Sequence, residues 1–197
     1  MPPLSRRILV SPLSLLLVTG MGNASARKMS FSGLAAEIRG QESIMSKKAH
    51  GTCESAPMLN LRWGCSHKTA DKICCFNRHY AEHSGYWLST KFLKEESEAS
   101  GEITFYDSVS GKPLFIAPRG RSWAEFVRES RSHGWPSFRD QEVVKENVRV
   151  LDDGEAVSVD GTHLGHNLPD RSGNRYCINL VSVAGEGANG TKKGGDL

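Results

Sequence analysis

The chain has 197 residues, of which 38% are hydrophobic and 24% are charged, the balance of a globular fold with one ordinary core. Its 25 lysines and arginines stand against 22 acidic residues, and the formal net charge is +3. That excess is too small for a polyanion-binding surface, so we expect no nucleic-acid partner. Beyond the N-terminal segment no stretch is apolar for long enough to form a membrane helix, and we expect no membrane association.

The first 26 residues have the three parts of a secretory signal segment. Arg6 and Arg7 give a basic start, residues 8–18 are apolar, and Ala24-Ser25-Ala26 is a small-residue cleavage site. A transit peptide is the alternative, because arginine and serine occur here without any acidic residue. We favour the signal segment and expect the secretory pathway or another organelle as the compartment.

The next two regions are polar and then rich in cysteine and histidine. Residues 27–50 have only weak helical spacing and predict a linker or a marginal helix. Residues 51–100 form an extension, in which Thr69 predicts the N-cap of a short helix that runs to about Tyr80. Four of the five cysteines lie in this extension: Cys53, Cys65, Cys74 and Cys75.

From Gly101 onward the sequence is typical of short antiparallel strands. Residues 103–106 and 114–116 predict one pair of strands, and residues 148–151 and 156–159 predict a hairpin around Asp153-Gly154. Residues 176–183 predict a final strand.

A single helix interrupts this pattern. Ser122 and Glu125 have the spacing of a capping box, which predicts a helix over residues 123–132. We therefore expect a mainly antiparallel β domain over residues 101–184. The glycine-rich residues 185–197 predict a disordered tail.

The final predicted strand carries the fifth cysteine, Cys177. Side chains two apart share one face of a strand, so Arg175, Cys177 and Asn179 point to one side, and Tyr176 and Ile178 point to the core. A nearby cation raises the thiolate fraction of a cysteine, and an amide can donate to an oxygen on the target of the thiol. A buried structural cysteine is the alternative.

Two earlier motifs carry further chemistry. His163 and His166 stand in the sequence His-Leu-Gly-His, which indicates an acid/base pair or a metal pair, with surface histidines as the alternative. Trp135 and Phe138 stand in the sequence Gly-Trp-Pro-Ser-Phe. Their rings can form the wall of an apolar pocket or simply pack in the core.

GWPSF, HLGH and RYCIN, in this order, resemble the catalytic core of the methionine-R-sulfoxide reductases, the B-type peptide methionine sulfoxide reductases. The resemblance covers about residues 106–183. It implies a β fold of two antiparallel sheets with short helices. It also implies the reduction of methionine R-sulfoxide in oxidised proteins, with a thioredoxin-like dithiol as the external reductant. We expect a monomer.

The resemblance implies a role for each motif residue. Cys177 attacks the sulfoxide sulfur and becomes a sulfenic acid, while His166 and Asn179 hold and help to protonate the sulfoxide oxygen. Trp135 receives the substrate methyl group. The other substrate-binding residues are His163 and Phe138, and Arg175 and Asp170 orient and polarise the site from behind.

The sequence departs from the family at two places. Many members bind a structural zinc through two CxxC pairs, which would fall at Asp107 and Ser110 and at Val157 and Asp160. We therefore expect no zinc and no other cofactor. His133 stands where many members have the cysteine that resolves the sulfenic acid.

Three hypotheses remain for the cysteines of the extension. One of Cys53, Cys65, Cys74 and Cys75 resolves the Cys177 sulfenic acid, or they form structural disulfides. The third and weakest hypothesis is a metal site, built from the cysteines and the histidines of this region: Cys65, His67, Cys74, Cys75, His79 and His83. The alternatives to an enzyme are a non-catalytic module that binds oxidised methionine and a metal-binding protein.

Overall fold

A computed structural model describes residues 33–187 of the chain. The predicted targeting segment, residues 1–26, and most of the predicted tail, from residue 188 onward, lie outside the described residues. None of the helices in the described part has the length and apolar character needed to span a membrane.

Two antiparallel sheets form the body of the fold. Strands β1 (Ile103–Tyr106) and β2 (Pro113–Ala117) make a two-stranded sheet. The second sheet has five strands in the order β3-β7-β6-β5-β4. Its members are β3 (Ser137–Phe138), β4 (Val148–Val150), β5 (Glu155–Ser158), β6 (His163–Asn167) and β7 (Tyr176–Ile178). The mainly β architecture expected from the sequence is confirmed.

The helices are short. They are α1 (His67–Asp71), which continues as a π-helical turn (Lys72–Phe76), α2 (Tyr86–Ser89), α3 (Phe92–Glu95) and α4 (Trp123–His133). Six 3-10 turns complete the described elements: Ala36–Ile38, Glu42–Met45, Arg62–Gly64, Glu98–Ser100, Asp140–Glu142 and Leu180–Ser182.

Helix α4 begins where the capping box predicts. The Glu125 amide donates to Ser122 Oγ at 3.2 Å, and the Ser122 amide donates to Glu125 Oε2 at 2.8 Å, so two N–H groups of the first turn are satisfied. The helix ends at Gly134, whose φ of 87° reverses the chain. Trp135 follows directly, so α4 sets the position of this ring.

The helix predicted from Thr69 to about Tyr80 is wrong at both ends. Ser66 is the cap, because its Oγ accepts the Thr69 amide at 3.3 Å. The helix ends at Phe76, after a π turn in which three consecutive residues are buried: Ile73, Cys74 and Cys75. Three neighbouring side chains cannot share one face of a regular α-helix, and tertiary packing on all sides accounts for the irregular turn.

One aromatic core joins residues 51–100 to the β region. Trp63 contacts Phe92 with ring centroids 4.9 Å apart, and Phe92 contacts Phe105 of β1 at 5.8 Å. Phe105 in turn packs edge-on against Phe138 at 4.9 Å. Because aromatic rings bury large areas, this chain of contacts makes the extension part of the same core.

The described part of residues 27–50 contains two short 3-10 turns, in line with the marginal helix that the sequence predicts, and it packs against the body of the fold rather than forming a linker. Leu34, Ile38 and Met45 are buried, and the Gly40 amide donates to Val150 O on the edge strand β4 at 2.9 Å. These three apolar side chains attach the segment to the rest of the fold, because their burial removes apolar surface from water.

The final strand is shorter than predicted. It ends at Ile178, and a 3-10 turn follows over Leu180–Ser182. The amides of Leu180 and Val181 donate to the carboxylate of Glu82 rather than to a neighbouring strand. A tertiary contact thus ends the strand directly after the residues of interest.

Candidate active site

A cavity of ≈ 260 Å³ lies beside β6 and β7. Five of the six residues predicted to be catalytic or substrate-binding line it: Trp135, His163, His166, Cys177 and Asn179. The five residues come from the turn after α4, from β6, from β7 and from the position directly after β7. The remaining wall includes Gly165, Leu168 and residues 78–81, a segment of the cysteine-rich region that the sequence did not connect with the site.

A β-bulge brings the two histidines to the same side of β6. Residues three apart in a regular strand point to opposite faces. Here Val157 pairs with His163 and Ala156 pairs with Gly165, so Leu164 is an extra residue on β6. The bulge turns both His163 and His166 toward the cavity, with ring centroids 5.8 Å apart.

Gly165 permits the close approach of β6 and β7. Its φ is +154°, and a Cβ built on it would lie 2.1 Å from the carbonyl oxygen of Cys177. No side chain fits in that space. The same pairing places His166 directly opposite Cys177 in the register of the two strands.

Cys177 is half-buried, and opposing influences act on its thiol. Burial raises the pKa of the thiol, while the charge and hydrogen bonding of Arg175 lower it. Asp170 lies 3.5 Å from Arg175 Nε and also pairs with Arg139. Arg175 and Asp170 are not among the residues that line the cavity, and Arg175 acts on the Cys177 thiol through its charge and hydrogen bonding.

His163 is held by a hydrogen bond to Glu155 that the sequence did not predict. Its Nδ1 lies 2.6 Å from Glu155 Oε1, and Arg78 Nε donates to Glu155 Oε2 at 2.9 Å. Burial alone would raise the pKa of Glu155, but His163 and Arg78 hold it below its ordinary value. The contact with Glu155, which Arg78 holds in turn, fixes the orientation of the His163 ring.

The polar side chains near Cys177 have defined orientations. Burial and the neighbouring His163 lower the pKa of His166, so its imidazole is neutral at pH 7. Asn179 donates from Nδ2 to Leu164 O at 3.0 Å and accepts the Glu82 amide on Oδ1 at 3.1 Å. One Nδ2 hydrogen of Asn179 remains for a ligand in the cavity.

The two aromatic residues of the Gly-Trp-Pro-Ser-Phe motif are separated by the fold. Trp135 donates from Nε1 to Glu82 O at 3.1 Å and forms part of the cavity wall. Phe138 is fully buried, with its ring stacked on Phe115 at 4.3 Å. Its assignment as a substrate-binding residue is corrected: β3 alternates its side chains, so Phe138 points to the core.

The cysteines of the extension divide into two kinds. Cys53 and Cys75 form a disulfide with their Cα atoms 5.3 Å apart, as the hypothesis of structural disulfides predicts. Cys65 and Cys74 are free thiols, both buried. Burial raises the pKa of both thiols. The disulfide also removes Cys75 from the hypothetical metal-ligand set of this region.

Of the four positions matched to zinc ligands, Asp107, Ser110 and Asp160 lie at the turns of two hairpins, and Val157 lies in β5. Asp107 is fully buried and accepts from Thr162 Oγ1 at 3.0 Å, and Lys112 pairs with Asp160 at 2.9 Å. Val157 offers no ligand atom, so this donor set does not fit a structural zinc. Direct hydrogen bonds and an ion pair connect the two turns instead.

No known protein-family model matches this chain.

Proposed function

We propose that the chain reduces peptide-bound methionine R-sulfoxide to methionine, with Cys177 as the nucleophile. The observation that carries the proposal is the convergence of Cys177, His166, Asn179 and Trp135 on one cavity, from three separate segments. The cavity combines a thiol, a neutral imidazole, an amide donor and an aromatic wall. The R configuration comes from the resemblance of the three motifs to B-type reductases.

The proposed reaction balances within the site. The Cys177 thiol loses its proton to neutral His166, and the thiolate attacks the sulfoxide sulfur. The sulfoxide oxygen takes the proton back from His166 and transfers to Cys177 as a hydroxyl group. The bond formed between the two sulfur atoms and the S–O bond of the substrate both break, the substrate sulfur is reduced by two electrons, and Cys177 is oxidised to a sulfenic acid.

The other cavity residues assist this step. Asn179 donates its remaining N–H to the sulfoxide oxygen as negative charge develops there. Arg175 raises the thiolate fraction of Cys177, and the hydrogen bond to Glu155 keeps His163 in one orientation. Trp135 packs against the substrate methyl group, with its ring fixed by the bond to Glu82 O.

The lining favours a substrate within a polypeptide. Arg78 lines the cavity, but its guanidinium already pairs with Glu155 and Glu42. It is therefore not free to bind the α-carboxylate of a free amino acid. Tyr80 and Leu168, which are 44% and 39% exposed, add apolar surface at the cavity that suits the residues flanking a methionine.

An external dithiol of the thioredoxin type is proposed to return Cys177 to the thiol state. It attacks the sulfenic sulfur, releases water and leaves as a disulfide. Cys53 and Cys75 are already joined, which leaves Cys65 and Cys74 as the intramolecular resolving candidates. Their raised pKa values disfavour the thiolate that such an attack requires.

The decisive experiment supplies separate R and S methionine sulfoxides in a peptide, with dithiothreitol as the reductant. We expect methionine from the R form only, no product with Cys177→Ser, and an unchanged rate with Cys65→Ser as the matched control. Product from the S form alone, or full activity of Cys177→Ser, contradicts the proposal.

The second candidate function is a module that binds oxidised methionine without reducing it. The raised pKa of the Cys177 thiol favours this alternative, because a protonated thiol is a weak nucleophile. A sulfenic-acid-specific probe separates the two functions. Labelling of Cys177 after one exposure to the R-sulfoxide supports reduction, and tight binding without labelling supports the module.

A further inference from the structure

Glu82 is a buried acid that contacts the site from a segment with no recognisable motif. Its side chain is 3% exposed. Oε1 accepts the Leu180 amide at 2.8 Å and Oε2 accepts the Val181 amide at 3.2 Å. The carboxylate thus holds the first N–H groups of the turn that begins directly after Asn179.

The backbone of the same residue contacts two of the cavity side chains. The Glu82 amide donates to Asn179 Oδ1 at 3.1 Å, and the Glu82 carbonyl accepts from Trp135 Nε1 at 3.1 Å. These bonds select which end of the Asn179 amide faces the cavity, and they fix the plane of the indole. Both depend on the position of one peptide segment, and the carboxylate is what attaches that segment to the turn.

We propose that Glu82 is a positioning residue for the reaction, which sets Asn179 and Trp135 through its backbone while its carboxylate anchors segment 78–83 to the turn after β7. This role is distinct from that of Glu155, which orients His163. The kinetic test of the Glu82 proposal rests on the proposed sulfoxide reduction. The expected effect of Glu82 on the Cys177 thiol does not depend on that function.

The charge of Glu82 provides that independent readout. Burial raises the pKa of Glu82 to about 7, against the two backbone hydrogen bonds that lower it. The carboxylate acts electrostatically on the thiols of Cys65, Cys74 and Cys177, and in each case it raises the pKa. The same charge also contributes to the raised pKa of the Tyr86 phenol.

The experiment compares wild type with Glu82→Gln and Glu82→Ala. Glutamine retains one acceptor oxygen for the two amides, and alanine retains none. Glu142→Gln is the control, because Glu142 is also buried and also accepts backbone amides, from Arg119 and Arg139, but has no contact with Asn179 or Trp135; unlike Glu82, it also pairs with Arg121. Near-ultraviolet circular dichroism establishes that each variant is folded before the kinetics are measured.

The expected result is a graded loss of kcat in the order wild type, glutamine, alanine, with about tenfold or more between the first and the last, since a misplacement of ~1 Å at an active site costs on the order of 100-fold. KM is expected to change less than kcat, because the donor to the developing oxyanion contributes mainly in the transition state. If Glu82→Ala does not fold, the glutamine variant alone decides. Equal losses of kcat in Glu82→Gln and Glu142→Gln overturn the proposal.

The second measurement is the rate of Cys177 alkylation by iodoacetamide against pH, followed by mass spectrometry of the Cys177 peptide. Removal of the negative charge in folded Glu82→Gln is expected to lower the Cys177 pKa while kcat also falls. A loss of stability with an unchanged alkylation profile overturns the proposal. A wild-type chain inactive on both sulfoxides contradicts the proposed function, and the alkylation profile still decides the role of Glu82.

Discussion

Replacement of Gly165 by alanine tests the contact between β6 and β7 that places His166 opposite Cys177. An added Cβ would lie 2.1 Å from Cys177 O, 3.0 Å from Ile178 Cα and 3.1 Å from Cys177 C. All three contacts are with backbone atoms or Cα, which cannot rotate away as the end of a flexible side chain can. The strands would have to separate by about 1 Å to reach an ordinary contact distance.

The loss of stability expected for Gly165→Ala has two parts. A non-glycine residue at this φ stores about 1–3 kcal/mol of backbone strain. Overpacking against a fixed neighbour costs a further ~1–3 kcal/mol. Gly173 provides the matched control, because it also has a positive φ, +109°, but has nothing within 4 Å of a built Cβ. Gly173→Ala should therefore show the strain alone.

Urea unfolding followed by circular dichroism measures this difference. We expect Gly165→Ala to lose about 1–3 kcal/mol more free energy of unfolding than Gly173→Ala, out of a total of ~5–15 kcal/mol. The same displacement moves Cys177, so the rate of sulfoxide reduction should fall by as much as ~100-fold. Equal unfolding free energies for the two variants, with unchanged reactivity of Cys177, would refute the close approach of the strands.

Three further predictions concern the supports of the site. Glu155→Gln removes a buried charge and should lower the free energy of unfolding by about 2 kcal/mol at pH 7. Because the folded-state pKa of this acid is depressed, the wild-type advantage is present above the unfolded pKa of about 4.3 and lost as the pH falls through the folded pKa, so urea midpoints should converge in acid. Cys53→Ser opens the disulfide to Cys75 and should cost ~3 kcal/mol in unfolding, without loss of single-turnover reduction. Thr162→Val removes a hydrogen-bond donor from buried Asp107 and should lower the free energy of unfolding by about 1–3 kcal/mol. An unchanged melting temperature would contradict a stabilising role for this hydrogen bond between the two hairpin turns.

Local interactions explain which elements the sequence predicted well. The capping box of Ser122 and Glu125 satisfies backbone groups only three residues away, so it is visible in the sequence and recurs in the structure. Asp153-Gly154 is likewise a local turn signal, and β4 and β5 pair on either side of it. The signals for these elements do not depend on tertiary contacts, because the groups that stabilise each element are neighbours in sequence.

Distant partners explain the errors. The last strand stops at Ile178 because Glu82, nearly a hundred residues earlier in the chain, receives the next two free amides. Phe138 belongs to a motif that suggests a substrate contact, yet Phe115 and Phe105 enclose its ring. No periodicity within residues 78–83 indicates that this segment forms a wall of the cavity.

The sequence by itself identified four side chains of the candidate site, because Trp135, His166, Cys177 and Asn179 stand in short motifs, and all four line one cavity. It also determined the β class of the fold, through alternation and turn residues. Only the tertiary structure decided that a bulge turns His163 to the same side as His166, and that Glu82 holds Asn179 and Trp135. The physical reason is that bulges, ion pairs and buried anchors depend on contacts between distant segments, which no local pattern encodes.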